Sequence, residues 1–166
     1  MTKNQLTIRR AQDRFHSNHG WLDAFHSFSF AGHDHPDHRG FEFLRVINQD
    51  TIAPGQGFGT HPHRSMEIFT YIISGELRHQ DSMGNERTIK ATHLLQIWIQ
   101  PNNPGGTPRY QDLDLPSLTT GQAITLIAST NGRDGSIGIR ANAEIHYGNL
   151  EAEATQKFPE SSSQDM

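Results

Sequence analysis

Short apolar runs rich in β-branched and aromatic residues, cut apart by Gly, Pro, Asn and Asp, recur along this 166-residue chain, while few segments keep a helical period. That punctuation predicts an all-β fold. The runs are Phe41–Asn48, Asp50–Ala53, Glu67–Ile73, Glu76–Asp81, Arg87–Lys90, Leu94–Ile99, Ala123–Ala128 and Ser136–Ile139, with a further one near Glu144–Tyr147. Met83-Gly84-Asn85 sits where a hairpin loop belongs. Asn131-Gly132-Arg133-Asp134-Gly135 supplies residues that tolerate positive φ. The stretch NNPGGTP, Asn102–Pro108, reads as an irregular connection between two halves, and the tail from Ala154 to Met166 has too little apolar content to pack.

Composition removes several classes of function. There are no cysteines, so disulfides, thiolate nucleophiles, Cys-zinc sites and iron–sulfur clusters are excluded, and any metal must be held by nitrogen and oxygen. A formal charge of -4 offers no general attraction for phosphate backbones or anionic lipid, so direct nucleic-acid binding is not expected. The opening MTKNQLTIRRAQDRFH lacks the apolar core of a signal peptide, and no apolar run approaches the roughly 20 residues of a membrane span. The expectation is a cytoplasmic protein with no membrane partner.

Eleven histidines stand out, six of them between Arg14 and Arg39. The chemically informative pair is His61 and His63 in GTHPHRSMEIFTYIISGEL. In an extended strand both rings face one side, about 6.5–7 Å apart along the backbone, and two imidazoles can close on one cation. Unbroken alternation puts Glu67, Phe69, Tyr71 and Ile73 on the same face, which makes Glu67 the candidate third ligand. Two His and one carboxylate suit Fe(II), and with less selectivity Mn, Ni or Zn. An isolated His-x-His is more often a surface pair; here Gly55, Gly57 and Gly59 precede it and an apolar strand follows. His79 and His93 are alternative donors, with plainer roles along a hairpin and at the start of a strand. His33, His35 and His38 lie in a turn-rich polar loop, where incidental surface metal binding is the expectation.

HGWLDAFHSFSFAGHDHPDHRGF (His19–Phe41), LRVINQDTIAPGQGFGTHPHRSMEIFTYIISGELRHQDSMGN (Leu44–Asn85) and HLLQIWIQP (His93–Pro101) resemble the N-terminal half of the pirin family of cupins, in its quercetin 2,3-dioxygenase-like branch. The resemblance implies two jelly-roll barrels with one mononuclear iron-type centre in the first, whose first two ligands match His61 and His63. It implies an N-terminal cupin domain over residues 1–101, a linker over 102–122, a remnant of a second cupin over 123–153, and a disordered tail over 154–166.

Two departures qualify it. The family's third and fourth ligands lie between the DSxGN turn and the HLLQIWI strand, and here GNERTIKATHLLQIWI joins the two directly, with no residue matching either ligand. After GQAITLIASTNGRDGSIGIRANAEIHYGNL, which resembles the opening of the second barrel, the chain ends in a short polar tail. The implied activity is dioxygenation of a flavonol such as quercetin, reduced or lost with the missing ligands. The competing expectations are a non-catalytic protein-binding module and a degenerate remnant, with open sheet edges favouring a homo-oligomer.

Overall fold

A computed structural model describes residues 8–58, 65–76, 91–115 and 124–148. The chain divides into two units, Met1–Gly106 and Thr107–Met166. In the first, the strands are β1 (Phe15–Asn18), β2 (Leu22–His26), β3 (Leu44–Ile52), β4 (Glu67–Ser74) and β5 (Thr92–Ile99). They form one antiparallel sheet in the order β1-β2-β3-β5-β4. β5 therefore lies between two strands that precede it in sequence. Among the described residues of this unit the helical elements are single 3-10 turns, and the sheet is not closed.

One face of this sheet is built by strict alternation. β2 buries Leu22, Ala24 and His26, and β3 buries Val46, Asn48, Asp50 and Ile52. Leu22, Ala24, Ile52 and Leu94 make the core at one end of that face, with Trp21 and Ile72 packed against it. Burying a side chain such as Leu94 stabilises the fold by about 1.5–3 kcal/mol relative to leaving it in water.

Several boundaries differ from those the sequence predicts. Phe41–Asn48 and Asp50–Ala53 are expected as two strands, but β3 runs unbroken through Gln49 and Asp50, because Asp50 pairs with Ala24 on one side and Leu94 on the other. Phe41 instead bridges Leu44 across a tight turn in which Glu42 has φ 48°. β1 and β2 have no counterpart among the predicted runs. Their inward positions alternate correctly, but FHSN and LDAFH carry His, Ser, Asn and Asp where a strand signal needs β-branched residues. The expected strands at Glu76–Asp81 and Arg87–Lys90 lie almost wholly outside the described residues, as does the Met83-Gly84-Asn85 turn.

Gly75 ends β4 at a close approach. With φ 87°, its Cβ position would fall 1.9 Å from the carbonyl oxygen of Ala91, so only glycine fits.

In the second unit β6 (Ile124–Ser129) pairs antiparallel with β8 (Ile145–Gly148) and parallel with the short β7 (Ile137–Gly138). The intervening turn follows from its sequence. Gly132, Asp134 and Gly135 all take positive φ, and Ser129 Oγ lies 2.8 Å from Ser136 Oγ across its base. Arg133 pairs with Glu144 at 2.8 Å, which holds that carboxyl below the usual range.

Candidate functional site

Moving along the inward face of the first sheet from the Ile52–Leu94 end, the side chains change from apolar to polar. In β-sheet register, His26 on β2 lies opposite Asn48 on β3, Asn48 opposite Gln96 on β5, and Gln96 opposite Thr70 on β4. Asp50 stands two residues further along β3, between Ala24 and Leu94. Directly opposed side chains in a sheet have Cβ atoms about 4.5–5.5 Å apart, so these groups form a single polar band.

A cavity of about 270 Å³ opens over this band. Ser17, His26, Asn48, Asp50 and Gln96 contribute its polar lining, together with His19, while Leu22, Ala24, Phe30, Ala31, Phe58 and Trp98 supply apolar walls. The Trp98 indole N–H donates to Gln96 Oε1 at 3.2 Å, and Phe30 packs edge-on against Trp98 with ring centroids 5.4 Å apart. Ala31, on the rim, takes φ 49°.

Hydrogen bonds fix one side of the His26 ring. Ser17 Oγ lies 3.0 Å from His26 Nε2 and 3.0 Å from His33 Nε2, so the hydroxyl links the two imidazoles. The far side of the His26 ring is different. His26 Nδ1, Asn48 Oδ1 and Asp50 Oδ1 are buried and have no hydrogen-bond partner, although each residue is only 3% exposed. A buried polar group left unpaired costs about 1–3 kcal/mol, so these atoms, packed behind the residues that line the cavity, strain the interior of β2 and β3.

Burial also sets the charge states. It pushes the Asp50 carboxyl up to about 6, because the charged form loses its water. It lowers the His26 imidazole; hydrogen bonding with the Asn48 side chain offsets part of that, and the neighbouring His33, His16 and His19 add to it. Burial thus favours the neutral form of the His26 ring.

His61 and His63 lie outside the described residues, and so does His79. Glu67 opens β4 and pairs with Ile99, which places it on the sheet face opposite Gln96, Trp98 and the cavity. The alternation that would join it to His61 and His63 meets Ser65 at φ 52°, a left-handed residue that interrupts an extended strand. His93 shares the face of Glu67, and its Nε2 lies 2.8 Å from Gln49 Nε2. In the His33–His38 loop the rings have structural partners: His33 stacks on Phe15 and bonds Ser17, and His35 accepts from the Asp37 backbone N–H while stacking on His38.

Among the described residues no three His, Asp or Glu side chains converge to hold a metal ion. The described donors alone therefore do not complete a coordination set. The polar trio of His26, Asn48 and Asp50 is not among the candidates that motif spacing provides. Its sequence signal is the alternation Val46-Asn48-Asp50-Ile52, in which two polar residues occupy inward positions of an otherwise apolar face.

An all-β unit with a non-sequential antiparallel sheet and a partly polar cavity over one face is consistent with a cupin jelly-roll. Residues 7–98 match the Pirin family. A quercetin 2,3-dioxygenase of Escherichia coli K12 is 42% identical, covering 85% of this chain and 70% of the relative. A putative quercetin 2,3-dioxygenase of Pasteurella multocida is 39% identical, covering 84% and 70% respectively. The crystal structure of YhhW from Escherichia coli superposes with a TM-score of 0.75 at 41% identity, covering 83% of this chain and 68% of that one; the same protein has been solved as a bacterial pirin in complex with nickel(II). The chain belongs to the pirin family. Its alignment with the Escherichia coli relative runs over 165 positions, more than 85% of 166 residues can fill, so that relative carries segments without a counterpart here.

Proposed function

We propose that this chain is a metal-binding member of the quercetin 2,3-dioxygenase lineage, in which His61 and His63 hold a divalent ion weakly and flavonol oxygenation is reduced or lost. The observation that carries the reading is family membership together with retention of the His-x-His pair: a relative 42% identical is named quercetin 2,3-dioxygenase, and a pirin 41% identical binds nickel(II). Imidazole nitrogens suit iron, manganese, nickel or zinc, and the absence of cysteine agrees with a nitrogen and oxygen donor set. When bound, such an ion supplies Lewis acidity and open positions for a chelating oxygen ligand.

Two supports favour weak binding. The segment GNERTIKATHLLQIWI offers no residue for a third or fourth ligand of the family type, and Glu67 lies on the face away from the cavity. Each missing ligand removes a bond and the geometry that discriminates between ions. The test is metal-dependent consumption of quercetin by the purified chain. Slow turnover that requires added Fe(II) or Ni(II) and disappears in His61→Ala supports the reading; turnover at the same rate in chelator sinks it.

A further inference from the structure

A serine hydroxyl at the cavity wall is held by two imidazoles, an arrangement that divalent-ion binding at His61 and His63 does not use. Ser17 lies on the half-buried side of β1, opposite Ala24 in register, and both residues line the cavity. His26 stands diagonally across the same strand pair, two residues along β2 from Ala24, within reach of a side chain as long as imidazole. Its Nε2 lies 3.0 Å from Ser17 Oγ. His33 Nε2 lies 3.0 Å from the same oxygen, at the end of a loop that carries Phe30 and Ala31 to the cavity.

A hydroxyl donates one hydrogen bond and accepts others, so one accepting and one donating imidazole use both capacities. Burial favours the neutral ring at His26, and the Asn48 side chain across the β2–β3 pair favours a proton on it. The tautomer with that proton at Nδ1 leaves Nε2 to accept from the Ser17 hydroxyl, while His33 donates its Nε2–H to Ser17 Oγ. Ser17 thus has an acceptor in place for its proton and a donor in place for the charge that develops on its oxygen. This is the pairing that activates a serine nucleophile.

The surroundings indicate what such a nucleophile meets. The Phe30 ring centroid lies 5.5 Å from that of His26, and Trp98 packs edge-on against Phe30 on the same cavity. Aromatic walls favour an aryl group, and a cavity of about 270 Å³ suits a compound with a single ring. An ester of a phenol has a good leaving group, for which one serine and one imidazole base suffice.

We propose that Ser17 and His26 form a nucleophile and base that hydrolyse small aryl esters, with His33 donating to the Ser17 oxygen and the aryl group lying against Phe30 and Trp98. Ser17 Oγ bonds to the ester carbonyl carbon as its proton passes to His26 Nε2. The bond from that carbon to the phenol oxygen breaks, and the phenol leaves with the proton from His26. Water then attacks the acyl-serine and gives a proton to His26, which returns it to Ser17 Oγ as the carboxylic acid departs. The sum is ester plus water to acid plus phenol, with no change of oxidation state. It needs neither an ion nor dioxygen, so it stands or falls apart from the proposed function.

The test uses the full chain in chelator with two probes, an alkyl fluorophosphonate and p-nitrophenyl acetate. Exposed histidines cleave p-nitrophenyl acetate slowly by themselves, so the deciding readout is where the covalent group lands. Peptide mass spectrometry should find one phosphonyl group per chain, on Ser17. The phosphonylated chain and Ser17→Ala should each cleave p-nitrophenyl acetate at least about tenfold more slowly than the parent, and His26→Gln should slow the labelling of Ser17 by about a hundredfold. Absence of the phosphonyl group from Ser17, or equal cleavage by Ser17→Ala and the parent, would overturn the proposal. If His26→Gln does not fold, the labelling of the parent still decides.

Discussion

Asp50 places a carboxyl group in the interior at a position flanked by Ala24 and Leu94, and that placement has a measurable consequence for stability. Its folded-state value of about 6 lies above the roughly 3.9 of an unfolded chain, so between these values the folded protein holds the proton more tightly. Stability from this group is greatest when it is protonated in both states. It falls as pH rises from about 4 and is fully lost above about 6, for a total near 3 kcal/mol. His26 acts in the opposite sense: its lowered value favours the folded state above about 6.5, and that advantage fades as pH falls. Asp50→Asn isolates the first effect. Chemical unfolding across pH 4–8 should show the variant overtaking the parent above pH 6 by about 1–3 kcal/mol; parallel curves would mean the carboxyl is not desolvated.

At the scale of single elements, β5 carries the most weight, since it joins β3 to β4 and places Leu94 in the core beside Ile52. Leu94→Ala should destabilise the first unit by about 2–5 kcal/mol in urea unfolding, the range for a buried Leu that leaves a cavity. Gly75→Ala at the end of β4 should cost about 1–3 kcal/mol from the left-handed backbone alone, before the clash with Ala91 is added. A smaller loss than that would require the β4–β5 junction to shift. β4 and β5 were legible in the sequence because EIFTYIIS and HLLQIWI are apolar runs of strand length. β1 and β2 were not, because their inward positions include Ser17 and His26, polar residues whose burial depends on partners far away in sequence. β3 was split at Gln49, a polar residue between two runs, since the pairing that carries the strand through that position is invisible in one segment.

For the molecule as a whole, the all-β class and family followed from stretches of sequence, and so did the candidate histidine pair, because a two-residue spacing needs no tertiary information. The cavity did not. It exists only where the registers of β2, β3 and β5 align His26, Asn48 and Gln96 in one row, and registers are set by long-range pairing. Glu67 shows the same dependence on pairing: parity along one strand pointed it toward His61 and His63, which lie outside the described residues, while pairing with Ile99 sets it on the face away from the cavity. The central claim, that a pirin-family chain keeps a divalent-ion clamp at His61 and His63, is tested most directly by metal analysis after nickel(II) or iron(II) loading and exhaustive desalting. The parent should retain substoichiometric metal that His61→Ala and His63→Ala each lose. Equal metal retention by parent and both variants would contradict it.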